Sequence, residues 1–284
     1  MEKIAINSPA KINIGLNVIN RRKDGFHNIE TIFYPLLLAD KLTIEKAGSF
    51  KFESSSKDME QLKENLIFRA IEILEEFAGR KFNVHIYLEK NIPIGAGLGG
   101  GSSNAASTLK ALIKLFNVEI SNDKLREIAL DLGSDVPFFL NSIPCFAGSR
   151  GENITPVRLS IPNPILVVNP GIHISTKKAF EKIKPQVRER SLHELINQTS
   201  ISIDDLKKIA ENDFESYTFN KYPAVKQIKE KLYEAGAEFA MMTGTGSTVF
   251  GIFTNLQKAR RAESEFSKKY FTYLNFPVNK GSIT

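Results

Sequence analysis

Residues 91 to 107 read NIPIGAGLGGGSSNAAS, and five of the seven positions from Gly95 to Gly101 are glycine. Each glycine gives up more backbone entropy on folding than any other residue, so a run this dense weakens ordinary structure. The run lies between two strongly patterned segments. Before it, FNVHIYLE at 82–89 puts Phe82, Val84, Ile86 and Leu88 on one face, the period of a half-buried strand. After it, SNAASTLKALIKLF at 103–116 puts Ala105, Leu109, Leu112 and Phe116 on one helical stripe. A flexible linker does not usually join a strand to an amphipathic helix, so the glycines read as an ordered loop opening a helix, with Ser102 and Ser103 in its first turn. Free N–H groups and the positive end of the helix dipole favour an anion there. Glycine lets the backbone approach phosphate oxygens where a Cβ would clash, and serine hydroxyls add donors or an oxygen for a magnesium ion.

Known phosphate loops fit only in part. Gly95, Gly97 and Gly100 match G-x-G-x-x-G, but only NVEI separates this helix from the next helix start at Ser121, too little for the second strand of a dinucleotide fold. A P-loop needs Gly-Lys-Ser/Thr, and the chain has Gly101-Ser102-Ser103. Protein kinases carry their glycine loop between two strands, and neither H-R-D nor D-F-G occurs here. No lysine lies between Lys90 and Lys110, so positive charge for phosphoryl transfer has to come from elsewhere in the fold.

The remaining 284-residue chain reads as ordinary globular sequence, 42% hydrophobic and 25% charged. A net charge of +6 spread over 38 Lys and Arg suits anionic small molecules better than a nucleic-acid face, which needs a denser basic stripe. One cysteine, Cys145, excludes an internal disulfide and a cysteine-based zinc site and fits a reducing compartment. The opening MEKIAINSPAKINIGLNVIN lacks the apolar run of a signal peptide, and no stretch is long and apolar enough for a membrane span. The expectation is a cytoplasmic protein, monomer or homodimer, with no nucleic acid or membrane partner.

Ile12, Ile14, Leu16 and Val18 predict a strand whose polar face carries Lys11 and Asn13; Asp24-Gly25 predicts a turn into FHNIETIFYPLLL. Helices are expected over 62–78, 103–116, about 122–131, 223–235 and about 255–271, and a buried strand over 165–169. AEFAMM and STVFGIF flank a second glycine knot, TGTGS at 243–247, while 185–215 gives no clear pattern. Pro156, Pro162 and Pro164 mark a boundary at about 150–162, dividing an α+β chain into 1–155 and 156–284.

SPAKINIGLNV at 8–18, IPIGAGLGGGSSNAA at 92–106 and MTGTGSTVFGIF at 242–253 resemble, in order, the three motifs of the GHMP kinase superfamily. RKDGFHNIETIF at 22–33 and LGSDVPFFL at 132–140 resemble the members whose acceptor is a cytidine-diphosphate-linked methylerythritol. The resemblance spans nearly the whole chain and is weakest from about 185 to 220. It implies a two-domain α+β fold, with an N-terminal ATP-binding domain like domain 2 of ribosomal protein S5, a ferredoxin-like C-terminal domain, and the active site in the cleft. It implies transfer of the ATP γ-phosphate to a substrate hydroxyl with Mg2+, Asp135 as base and Lys11 as its partner. The ATP loop would be Pro93, Ile94, Gly95, Ala96, Gly97, Leu98, Gly99, Gly100, Gly101, Ser102 and Ser103.

For the acceptor the resemblance implies His27 on the cytosine, with Phe26 and Phe180 stacking and Thr176 beside Phe180. Asn13, Lys90, Gly244, Gly246 and Ser247 would complete the acceptor side. The family's usual tyrosine is Phe26 here, which keeps stacking and loses a phenol hydroxyl. Ala96 replaces a more usual glycine, which is tolerable only outside the left-handed region. Without the resemblance, Asp135 before Val136-Pro137 is equally a helix cap, Lys11 an exposed strand lysine, and TGTGS a glycine hairpin. Two other functions stay open. A kinase for homoserine or mevalonate would lack a counterpart to DGFHNIET, and a non-catalytic nucleotide- or RNA-binding module would not depend on Asp135.

Overall fold

The computed structural model describes residues 2–60, 65–186 and 188–276. In chain order the elements are strands β1 (Lys3–Arg21), β2 (His27–Lys46) and β3 (Lys51–Ser54), helices α1 (Lys57–Glu60) and α2 (Leu66–Ala78), strand β4 (Val84–Glu89), helices α3 (Gly100–Phe116), α4 (Asn122–Leu132) and α5 (Val136–Phe139), and strands β5 (Cys145–Gly148), β6 (Asn153–Pro156) and β7 (Ile165–Asn169). There follow α6 (Thr176–Lys182), a 3-10 turn (Leu192–Leu195), α7 (Ile203–Ile209), α8 (Phe214–Lys221), α9 (Pro223–Glu234), β8 (Phe239–Met242), β9 (Val249–Ile252), α10 (Leu256–Phe266) and β10 (Phe271–Asn275). Among the described residues no helix is long and apolar enough to cross a membrane.

These elements fall into two compact units, neither of them a single stretch: residues 1–10, 38–94 and 99–142, and residues 11–37, 95–98 and 143–284. The division at 155/156 read from the prolines assumes two contiguous stretches. β1, β2 and the glycine loop instead pass from one unit into the other along the chain.

In the first unit β4 pairs antiparallel with the second half of β2, Lys41 opposite Glu89 through Lys46 opposite Val84, and parallel with β3. The alternation of 82–89 appears as predicted: Val84, Ile86 and Leu88 are buried, with Leu42 and Ile44 of β2. α2 begins at Leu66, with Asn65 as its cap: the Asn65 side-chain oxygen accepts the Ile67 N–H at 3.0 Å, and the helix closes at Gly79 in the left-handed region. The expected start at 62–64 lies outside the described residues. α4 opens under a Ser121 cap and stops at Gly133, as its sequence indicates.

In the second unit β7 to β10 form an antiparallel sheet ordered β10-β7-β9-β8, the 4-1-3-2 order of a ferredoxin-like domain, as expected. α9 and α10 cover it, burying Val225, Ile228 and Leu232, and Ala259, Ala262 and Phe266, with Leu166, Val168 and Val249 of the sheet. The last helix ends at Phe266 rather than about 271. FTYLN is strand β10 because all five residues pair with β7, and tertiary pairing outweighs the helical spacing of Phe266 and Tyr270. β1 extends further than predicted, from Lys3 to Arg21, and among the described strands it pairs with β2 alone, which accommodates Pro9.

The segment that showed no pattern contains α7 and a tight brace on β1. Leu16 donates its N–H to Glu211 O at 2.6 Å, and Asp213 returns its N–H to Leu16 O at 3.0 Å. The buried Asp213 carboxylate accepts the Val18 N–H at 2.7 Å and pairs with the Arg188 guanidinium. Removing the carboxylate would leave a largely buried guanidinium and a strand N–H without their acceptor. Asp213→Ala is therefore expected to destabilise the protein by about 3 kcal/mol, seen as a lower urea midpoint, with Asp213→Asn losing less.

Candidate active site

The glycine loop starts from a buried ion pair. Asp40 on β2 is fully buried, and one of its oxygens accepts the N–H groups of Asn91 at 2.7 Å and Ile92 at 2.8 Å. Its other oxygen accepts the Lys90 ammonium at 2.7 Å, which also donates to Ile92 O at 2.5 Å. Burial pushes the Lys90 pKa down and Asp40 pulls it back up, so the charge persists because of its partner. A Cβ on Gly100 would stand 3.3 Å from the Lys90 Nζ and 3.2 Å from Ile92 Cγ2, so the ammonium packs against the far end of the loop as well as its start. Lys90, expected to contact substrate or phosphate, has two of its three protons in this clamp. Asp40 was not singled out in the sequence; a lone acid in an alternating strand carries no local sign of its role.

Positive φ recurs at Gly95, Gly97 and Gly99 and not at Ala96 or Leu98. Such alternation aims successive N–H groups into a concavity suited to an anion. Ala96 therefore meets the condition set for it. A Cβ at Gly97 would lie 2.6 Å from Thr243 O, so only glycine fits where these backbones pass. α3 begins at Gly100, three residues earlier than the apolar stripe suggested, and its first turn includes both remaining glycines. Ser103 and Asn104 are buried there, and the Ser103 hydroxyl and both Asn104 amide atoms find no hydrogen-bond partner among the described residues. Orphaned polar atoms at a helix start under a glycine cradle fit a polyphosphate.

Lys11 and Asn13 lie on the polar face of β1 as predicted, yet both are buried, at 4% and 3% exposure. The Lys11 ammonium donates to the Asn13 side-chain oxygen at 2.5 Å and lies 5.0 Å from the Phe33 ring centroid. The Lys11 N–H donates to Leu98 O at 3.0 Å, tying the strand to the glycine loop. Lys11 is thus an interior cation, not the exposed strand lysine of the simpler reading.

Of the acceptor residues expected around the base, His27 and Phe180 meet within the second unit. The His27 and Phe180 rings lie 5.3 Å apart at 32°, and Phe180 meets Phe214 edge-on at 4.8 Å. Burial, followed by the charge of Arg21, lowers the His27 pKa, leaving a neutral imidazole that can both donate and accept. Phe26 is 52% exposed, with the Arg150 guanidinium 4.8 Å from its ring centroid. The Thr176 hydroxyl lies 3.3 Å from that of Thr245 in the second glycine knot. Gly244 and Gly246 hold positive φ, and the Ser247 hydroxyl is spent inside the fold, donating to Ile172 O at 2.6 Å. Asp135, in the first unit, stands at the N-cap position of α5 without a side-chain capping bond.

Two family models match the chain: GHMP kinases N terminal domain over residues 65–142, and GHMP kinases C terminal over residues 191–272. A 4-diphosphocytidyl-2-C-methyl-D-erythritol kinase of Prosthecochloris aestuarii is 39% identical, covering 98% of this chain and 100% of that protein. One from Bacteroides fragilis is 41% identical, covering 90% and 94%. Among solved structures, a 4-(cytidine 5'-diphospho)-2C-methyl-D-erythritol kinase superposes with a TM-score of 0.78 at 33% identity, covering 96% of this chain and 98% of that one. A homoserine kinase from Cytophaga hutchinsonii superposes at 0.74 with 15% identity over 98% and 95%, a likeness of fold alone.

The clamp under the loop predicts its own energetics. Asp40→Ala should cost about 3–5 kcal/mol in urea unfolding, because it strands a buried ammonium. The neutral pair Asp40→Asn with Lys90→Met should recover most of that loss.

Proposed function

The chain belongs to the GHMP kinases, within the family of 4-diphosphocytidyl-2-C-methyl-D-erythritol kinases, and on that premise we infer the following reaction and roles. The enzyme transfers the γ-phosphate of ATP to the 2-hydroxyl of 4-diphosphocytidyl-2-C-methyl-D-erythritol, giving the 2-phosphate, in the non-mevalonate route to isopentenyl diphosphate. The observation that carries this is the near-complete coverage of chain and relatives alike, which includes the DGFHNIET segment.

Residues 93–103 are the ATP loop in this reading, supported by the alternating φ signs, the close pass at Gly97 and the orphaned Ser103 hydroxyl. Bound with the nucleotide, Mg2+ would neutralise charge on its phosphates. It needs only one or two protein oxygens, for which Ser103 and Asp135 have the right chemistry. Phosphoryl transfer through a loose transition state depends mostly on positioning and charge. Asp135 orients the acceptor hydroxyl and takes its proton late, while the Lys11 ammonium stabilises the developing negative charge. His27 reads the cytosine as a neutral imidazole, with Phe26 and Phe180 as its aromatic platform and Asn13, Thr176, Gly244, Gly246 and Ser247 shaping the acceptor side.

Cys145 is buried, and burial pushes its thiol up to about 12, so it stays a protonated interior group; a single cysteine, with no internal disulfide to form, supports a cytoplasmic setting. A small-molecule acceptor, no nucleic acid or membrane partner, and a monomer or homodimer complete the proposal.

A coupled assay offering the cytidine-diphosphate substrate, homoserine and mevalonate should give turnover with the first alone; turnover of either other substrate alone would overturn the assignment. Asp135→Ala should lower kcat by about 10²–10⁴ with ATP affinity largely retained, and normal turnover would remove Asp135 from its role. Because the His27 pKa is lowered, the KM for the acceptor should stay flat as pH falls through the usual histidine range and rise only below it. In His27→Gln that rise should be absent.

A further inference from the structure

Thr243 lies in the second glycine knot, and its hydroxyl meets β1 where the cation is held. The Thr243 Oγ1 accepts the Asn13 N–H at 2.8 Å and sits 3.4 Å from the Asn13 side-chain oxygen and 3.5 Å from Gly97 O. The Asn13 amide has a defined orientation. Thr31 gives its hydroxyl proton to Gly15 O at 2.5 Å, so its oxygen accepts from the Asn13 Nδ2 at 3.0 Å. The Asn13 oxygen therefore faces Lys11 and accepts its ammonium at 2.5 Å.

Thr243 is itself fixed from both sides. The buried Asn212 amide donates to Met242 O at 2.7 Å and to Gly244 O at 2.9 Å, the carbonyls flanking Thr243, and its oxygen accepts the Phe214 N–H at 3.0 Å. Thr243 also donates its N–H to Thr248 O at 2.9 Å. A rigid knot thus presents one hydroxyl to the backbone and side chain of Asn13.

We propose that Thr243 is a positioning residue for phosphoryl transfer, orienting Asn13 and through it the Lys11 ammonium, with Asn212 as the anchor that fixes Thr243. The proposal rests on the reading of Lys11 as the catalytic cation. It places the effect in the hydroxyl, not in the bulk of the side chain: Thr243 is fully buried, so Val keeps the shape and loses the hydroxyl, while Ser keeps the hydroxyl and loses the methyl.

The test is steady-state kinetics on Thr243→Val, Thr243→Ser, Thr243→Ala and Lys11→Met, with thermal unfolding of each. Thr243→Val and Thr243→Ala should lower kcat about ten-fold or more with the KM for ATP and acceptor within about two-fold, while Thr243→Ser stays near wild type. A merely structural role would order the variants by lost packing and place Ser with Ala. Wild-type kcat in Thr243→Val, or a fall in Thr243→Ser equal to that in Thr243→Ala, overturns the proposal. If Thr243→Val does not fold, the Ser-against-Ala comparison decides alone. Lys11→Met separates the two ideas: if it keeps kcat, the reading of Lys11 fails, and if it loses kcat while Thr243→Val does not, only the Thr243 proposal fails.

Discussion

A carboxylate sealed from solvent, Asp40, determines where the glycine loop begins. It accepts the two backbone N–H groups that lead into the loop and holds the ammonium that packs at both loop ends. A buried charge pair of this kind contributes little net stability over an apolar pair of equal shape, but breaking it is costly. Its value is therefore directional. Glycines supply no side chains to hold one another, so a loop made of them takes its geometry from what its ends are tied to. The Asp40–Lys90 clamp supplies that tie at the base, and the Lys11 N–H to Leu98 O supplies another near its middle.

This arrangement also accounts for the missing lysine of the loop. In a P-loop the lysine reaches the phosphates itself. Here Lys90 stands just before the glycines with its charge already balanced by Asp40, so it shapes the cradle without adding net field. On the proposed reading, attraction for phosphate then falls to N–H groups, the α3 dipole and the orphaned Ser103 and Asn104 side chains. In the proposed reaction, positive charge for the transferring group comes from Lys11, a buried residue on β1, which would leave nucleotide binding and catalysis to different side chains.

Legibility in the sequence followed the range of the interaction. Alternation at 82–89, the helix ends at Gly79 and Gly133, the helix start at Ser121 and the ordered glycine loop that opens a helix are local, and the structure has each of them. Asp40, Asn212 and Thr243 were not singled out because their partners lie 50, 30 and 230 residues away. The unpatterned stretch around 185–215 is short turns and caps held by β1 and β8, so it has no apolar period to read. The strand at 271–275 was hidden for the same reason: its pairing with β7 decides its state, not its own spacing.

The burial of Lys11 needs those long-range partners more than any other feature. An ammonium at 4% exposure is costly unless acceptors are aimed at it. Asn13 can serve only if its oxygen, not its amide nitrogen, faces the lysine, and a lone asparagine has no reason to choose. Thr31 makes the choice by giving its proton to Gly15 O and leaving only its oxygen for Asn13. A β2 hydroxyl bonded to a β1 glycine carbonyl thus sets the polarity of an amide, and that amide presents its oxygen to the charge. Thr31, Asn13 and Lys11 satisfy one another in a fixed order, and that order lets this part of β1 keep polar side chains inside the fold.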